Sequence, residues 1–352
     1  MQERIRMRAV QLVEIGKPLE LREIARPEPG PGEIRVRVLA AGICHSDAHY
    51  RAGTASVDFL PITLGHEIAG VVDQIGPSVE SVSVGDRVAL HYLFTCGQCE
   101  YCGRGLEQFC PKGRMVGKHV NGGYAEYVVA PARNAIPIAN PVSQAAAAIM
   151  MCSTATAFHA LHKARMSAGD RVVVFGAGGL GMSAIQLARA CGAAEVFAVD
   201  IDAAKLEAAE AYGARPIDPA HGAPERQLHD LTRGRGVDVA LEFAGIPTTQ
   251  AQAVASLAVQ GRAALAGITA SPFAVHSFPT LINREAEIVG VSDHLRGELI
   301  TLMELARRGL LDLESVIADR IALDADQINS RLDALAEFRG PTRSVIVPSG
   351  EQ

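Results

Sequence analysis

No run in this chain approaches the ~18 uninterrupted apolar residues of a membrane span, and its first residues, Met1–Met7, carry charges but no apolar leader core. Charge is scarce and shows no basic excess: 33 Lys and Arg stand against 39 Asp and Glu, a formal net charge of -6. This argues against nucleic acid as the main partner, since phosphate binding is dominated by Lys and Arg neutralisation. Internal repeats, low-complexity tracts and long charge runs are also missing. These absences lead us to expect a cytoplasmic, enzyme-sized protein with no membrane partner. Its 352 residues, 48% hydrophobic, can bury a full core and should divide into about two domains. The start Met7-Arg8-Ala9-Val10 makes residues 1–6 a candidate disordered extension.

From Met7 to about Ala130 the pattern is one of short alternating apolar runs broken by Gly and Pro: Arg8–Val13, Glu33–Ala40, Glu67–Ile75, Arg87–Leu90 and Tyr124–Ala130. This reads as a mainly β domain with functional loops. From Ser143 an Ala-rich helical stretch follows, and from Arg171 strands alternate with helices. Six strands are expected at Arg171–Phe175, Glu195–Val199, Ala214–Ile217, Val237–Phe243, Arg262–Ala266 and Glu287–Val291. Helical patterns separate them, so the second domain is predicted to be α/β with a doubly wound parallel sheet. After an amphipathic segment, Leu295–Arg308, the helix Asp326–Glu337 and a last strand Ser344–Val347 are expected to rejoin the first domain.

Seven cysteines, an odd number, suit a reducing compartment and metal binding better than a disulfide framework. Four of them, Cys96, Cys99, Cys102 and Cys110, form a C-x2-C-x2-C-x7-C array. Thiolates this dense suit one tetrahedral zinc, and a closed four-thiolate shell holds a loop rather than performing chemistry. Two disulfides would need an oxidising setting, and a nucleic-acid zinc ribbon would usually bring a basic surface.

Val172–Phe175 runs directly into Gly176-Ala177-Gly178-Gly179-Leu180-Gly181 and then a helix, the place a dinucleotide fold requires for G-x-G-x-x-G. Gly176 permits the turn, Gly178 lets a pyrophosphate approach the backbone, and Gly181 lets the helix pack close to the strand. The helix start then offers free N–H groups to the phosphates. Asp200 follows 19 residues after Gly181, where a carboxylate accepts from both ribose hydroxyls and repels a 2′-phosphate. NAD is therefore expected over NADP. The competing role for Asp200, a helix N-cap, suits Asp202 better.

Cys44 and His66 remain, each beside a glycine near a strand end, in Gly42-Ile43-Cys44-His45-Ser46-Asp47 and Gly65-His66-Glu67. A catalytic zinc takes three protein ligands and keeps one position open. Cys152, at the junction of the two domains, is a candidate third ligand, but spacing alone leaves it equally readable as buried packing. Ser46 can cap the helix after Cys44 and still relay a proton. A solitary His49 is more often a surface or packing residue.

At these residues the chain resembles the zinc-containing alcohol dehydrogenases of the medium-chain dehydrogenase/reductase family from Met7 to Pro348. The resemblance rests on the Cys44–Asp47 segment, Gly65–Gly70, the Cys96–Cys110 lobe, Met151-Cys152 with Thr156, and the glycine loop. It implies a GroES-like catalytic domain at 1–150, completed by 293–352, and a Rossmann NAD-binding domain at 151–292. By the same resemblance Cys44, His66 and Cys152 bind catalytic zinc, so that each chain holds two zinc ions. Cys152, where the polyol branch has glutamate, points to the alcohol branch. Ser46 is implied to take the alcohol proton and His49 to pass it on through the nicotinamide ribose. Asp47 orients the zinc histidine, and Glu67 approaches the metal during water exchange. Lys205 lies near the adenosine ribose, Arg343 on the pyrophosphate, and Thr156 and Ile268 along the cofactor. His45 replaces an arginine of several relatives at a phosphate contact. Phe59, Leu60, Tyr92 and Leu93 match the substrate pocket, which Ile268 also borders. The expected substrates are apolar primary or secondary alcohols and the matching aldehydes or ketones. Short microbial members imply a homotetramer, with a homodimer as the alternative. Two other functions stay open: a polyol or amino-alcohol dehydrogenase on the same scaffold, and a non-catalytic NAD-binding sensor.

Overall fold

The computed structural model describes residues 5–338 and 340–348. They form two compact units, one drawn from Met1–Cys152, Leu295–Arg308 and Leu313–Gln352, the other from Ser153–His294 and Gly309–Asp312. In the first unit, the long strand Glu33–Gly42 is the spine of a seven-stranded sheet. It pairs antiparallel with Glu67–Ile75 on one side and with Tyr127–Pro131 and the last strand, Ser344–Val347, on the other. Alternating burial along Glu33–Gly42 turns Ile34, Val36 and Val38 into the core. Each such side chain contributes about 1.5–3 kcal/mol of burial. The spine and Glu67–Ile75 also carry Cys44 and His66 to the same end of the sheet, because Gly42 lies opposite Glu67 in the register.

The second unit is an all-parallel six-stranded sheet. Its order is Arg215–Ile217, Glu195–Val199, Arg171–Phe175, Val237–Glu242, Leu257–Leu265, Glu287–Gly290. Val172–Phe175 is fully buried, as a central parallel strand covered on both faces must be. The chain order reverses at Arg171–Phe175, so the glycine loop leaves the sheet at its topological switch point.

Three sequence expectations need correction. Residues 1–4 lie outside the described residues, but Arg6 is no disordered extension: it opens the strand Arg6–Leu12 and pairs with Ala25. Its partner Glu20–Ala25 was not anticipated, because nearly every residue in it faces solvent and no hydrophobic alternation marks it. The strand expected from Arg262 begins at Leu257; a register irregularity and a left-handed Gln260 (φ 58°) carry the ladder through the polar break.

Candidate active site

Three segments of the first unit converge on one buried point. Cys44 follows the sheet spine and caps the helix His45–Ala52, where its main-chain N–H donates to the Asp47 carboxylate at 3.0 Å. His66 leaves a left-handed turn at Gly65 (φ 90°) and enters the strand Glu67–Ile75. Cys152 sits in a π-helical turn, Met150–Thr154, between the helices Gln144–Ile149 and Ala155–Lys163. Such single-turn bulges often mark functional positions. The donor atoms of Cys44, His66, Glu67 and Cys152 all lie within 4.8 Å of one another, and all four residues are buried.

The electrostatics of this cluster fit a metal. The ring nitrogens of the fully buried His66 lie just outside hydrogen-bond distance of any partner: Asp47 Oδ1 faces Nδ1 at 3.6 Å, and coordination would relieve the nitrogen that is left. A hydrogen bond from Cys152, aided by His66, holds the Cys44 thiol well below its usual range despite burial, while the same bond and burial push Cys152 up. Burial draws His66 down, but the Asp47 carboxylate and Cys44 outweigh it and leave the ring raised. Burial lifts Glu67 to about 8 against the pull of Arg343. Two thiols, an imidazole and an adjacent carboxylate are a zinc donor set, and filling it releases protons.

Asp47 is the hub. Its Oδ2 accepts from Cys44 N and from the Tyr124 hydroxyl at 2.8 Å, and its Oδ1 accepts from Gly65 N at 3.2 Å and faces His66 Nδ1 at 3.6 Å. Tyr124 escaped the sequence reading, since nothing local ties it to residues so distant along the chain. Burial and Asp47 raise its hydroxyl well above the usual value, so it keeps the proton it donates.

Around the cluster, the half-buried Ser46 has its Oγ 3.7 Å from Cys44 Sγ. His49 bonds Thr54 at 3.0 Å and stacks on His45, their rings 4.7 Å apart. His45 is drawn down by burial and then by His49. Arg343 is buried and ion-paired with Glu67, so in this structure its guanidinium lies at the metal cluster. Tyr92 and Leu93 are buried, the Tyr92 ring meeting His66 edge-on at 5.2 Å; Phe59 and Leu60 are exposed.

The Cys96–Cys110 lobe springs from the hairpin Leu93–Phe94 with Arg114–Met115. Its four sulfurs also lie within 4.8 Å of one another, and none of them is in a disulfide. Main-chain N–H groups point at them: Cys96 N to Cys110 Sγ at 3.4 Å and Cys102 N to Cys99 Sγ at 3.5 Å. The main-chain donors at Gln98 and Cys99 outweigh burial and bring the Cys96 thiol to about 6. A thiolate is thus available for a soft metal at neutral pH.

In the second unit two of the loop glycines have a steric reason. Gly176 is left-handed (φ 92°), and a Cβ at Gly181 would lie 2.0 Å from the Gly176 carbonyl oxygen. A Cβ at Gly178 would meet nothing within 4 Å, so no packing contact requires glycine there. The helix Gly179–Ala190, which includes Leu180, starts without a side-chain cap, leaving its N–H groups for phosphate. Asp200 closes the loop: Oδ2 accepts from Ala177 N at 2.8 Å and Oδ1 from Asp202 N at 3.0 Å. Asp202 is the N-cap of the next helix. Lys205 lies one turn into that helix, Thr156 is half-buried in Ala155–Lys163, and Ile268 is 76% exposed.

Two family models match the chain, an alcohol dehydrogenase GroES-like domain over residues 30–140 and a zinc-binding dehydrogenase domain over residues 179–308. The NAD-dependent alcohol dehydrogenase of Sulfurisphaera tokodaii is 34% identical, covering 97% of this chain and 100% of that protein. The L-threonine 3-dehydrogenase of Pyrococcus horikoshii is 31% identical over 90% of this chain and 91% of its own length. A structure described as a zinc-binding dehydrogenase from Sinorhizobium meliloti bound to NADP superposes with a TM-score of 0.90 at 28% identity, covering 98% of this chain and 100% of that one.

Proposed function

The chain belongs to the zinc-dependent alcohol dehydrogenases of the medium-chain dehydrogenase/reductase family, and from that premise we propose that it interconverts apolar primary or secondary alcohols with aldehydes or ketones, using NAD. The observation that carries this reading is the buried Cys44, His66 and Cys152 donor set with the Ser46 hydroxyl beside it. Zinc held by these three residues supplies a Lewis acid for the alcohol oxygen, and NAD on the glycine loop supplies the hydride acceptor.

The chain's own residues do the rest. Ser46 takes the alcohol proton at its Oγ, and His49, held by Thr54 and His45, passes it towards solvent. Asp47 fixes the His66 ring. Glu67, balanced by Arg343, can approach the metal when ligands exchange; Arg343 and His45 then contribute to phosphate binding. By the family resemblance the alcohol site is assigned to Phe59, Leu60, Tyr92 and Leu93, of which the Tyr92 ring meets His66. The Cys96–Cys110 cluster holds a second, structural zinc. Reduced thiols at all seven cysteines support a cytoplasmic setting. No helix among the described residues is long and apolar enough to cross a membrane. The strand Glu287–Gly290 is an open sheet edge with exposed Ile288, near exposed Phe278 and Ile282 in sequence, which supports assembly into a homotetramer or a homodimer.

NAD preference rests on Asp200, whose carboxylate is already fixed on the glycine loop. Replacing Asp200 by Gly should weaken NAD and relax discrimination against NADP; a wild-type kcat/KM higher with NADP than with NAD would remove the assignment. An amino-alcohol substrate is the second reading, favoured by the threonine dehydrogenase relative. NADH formation with 1-butanol and benzyl alcohol against sorbitol and L-threonine separates the two.

A further inference from the structure

We propose that Tyr124 is a positioning residue for the metal ligand His66, acting through Asp47; the inference rests on the zinc reading of the Cys44 cluster. Asp47 has no exposed surface, and its carboxylate is anchored by three donors, each from a different segment: Cys44 N, Gly65 N and the Tyr124 hydroxyl. The two main-chain donors belong to a ligand residue and to the neighbour of another. They tie Asp47 to the ligand loops but cannot set it independently of them. Tyr124 adds a side-chain anchor that joins the His66 turn to the first strand: its N–H donates to Leu64 O at 3.0 Å, within that turn, and its carbonyl accepts from Val10 N at 2.8 Å.

The ring is as confined as the backbone. Tyr124 is fully buried, and a Cβ added at Gly65 would lie 2.4 Å from its Cδ1, so the ring lies against the turn that delivers His66. Its hydroxyl and Cys44 N share Oδ2, which leaves Oδ1 for Gly65 N and His66 Nδ1. With Oδ1 facing Nδ1, the Nδ1–H tautomer is selected and Nε2 is free for the metal. Without the hydroxyl, Oδ2 is left with Cys44 N as its anchor and the carboxylate can turn, taking Oδ1 away from Nδ1.

The test is timed zinc loss to a chelator from wild type, Tyr124→Phe, Asp47→Asn and the double variant, with metal analysis and melting of the metal-free chains. Phe preserves the ring over Gly65, so metal-free melting should match wild type. Loss of the Cys44-site ion should be about 10-fold faster or more in Tyr124→Phe, as for removal of other groups that orient a metal ligand. The Cys96-cluster ion should leave at the wild-type rate. In the Asp47→Asn background, Tyr124→Phe should add nothing further. Equal zinc loss in Tyr124→Phe and wild type would overturn the proposal, as would an undiminished effect in the Asp47→Asn background. A wild-type chain that binds no ion at the Cys44 site would overturn the zinc reading itself, and the proposal with it.

Discussion

The two four-donor clusters of the first unit are built by opposite means. Cys96, Cys99, Cys102 and Cys110 come from one short lobe, are mostly half-exposed, and are organised by main-chain N–H groups of that same lobe. Cys44, the adjacent His66 and Glu67, and Cys152 come from three separate segments, are all buried, and are organised by side chains: Asp47, Tyr124 and Arg343. A local cluster can close its shell with four like ligands and stabilise the loop that carries it. A site assembled by the sheet and a π-helical turn can mix ligands and keep a neighbouring hydroxyl free for chemistry.

The largest test of this contrast is Cys44→Ser. Losing a Lewis acid worth several kcal/mol should drop turnover about 10³-fold or more, with glycine-loop NAD binding retained by titration. Loss of NAD binding instead would mean that the two functions are not separable. Ser46→Ala should lower kcat about 10²–10⁴-fold, the range of a general acid–base group, with zinc content intact. An unchanged kcat and pH–rate profile would take Ser46 out of proton transfer.

Cys99→Ser should act on stability first. A structural ion held there would contribute folding free energy, so the melting temperature should fall by about 2–4 °C per kcal/mol lost, with one zinc missing by metal analysis. If Cys99→Ser kept both metals and its melting point but lost activity, the roles of the two clusters would be exchanged.

The smallest effect concerns His91, on the segment that joins the clusters: Tyr92 meets His66, and Leu93 begins the hairpin of the lobe. Burial, then the positive charges of Arg296 and Arg133, hold the His91 ring down to about 3. The unfolded chain binds this proton below about 6.5 and the folded chain does not. Its contribution is therefore fully present above that pH and is lost as pH falls towards about 3, at up to ~1.4 kcal/mol per pH unit. Urea midpoints at pH 7 and 5 should differ less in His91→Gln than in wild type. An equal acid shift in both would show that His91 carries none of it.

The sequence by itself determined what depends on near neighbours. Five of the six parallel strands start within a residue of their expected positions; for the central ones the reason is that a strand buried on both faces is written as an unbroken apolar run. The glycine loop and the lobe thiols were legible for the same reason: their spacing is their geometry. Glu20–Ala25 was not, since an edge strand exposed on both faces carries no hydrophobic period. Nor did local pattern decide Cys152, a candidate ligand by its position that only family resemblance favoured over buried packing. The tertiary structure alone supplied its π-helical turn, the pairing of Arg343 with Glu67, and the bond from Tyr124 to Asp47. Each of these joins segments far apart in the chain, or shifts a helix by one residue. Contacts of that kind are set by sheet register and packing, which leave no trace in the spacing of residues along a chain.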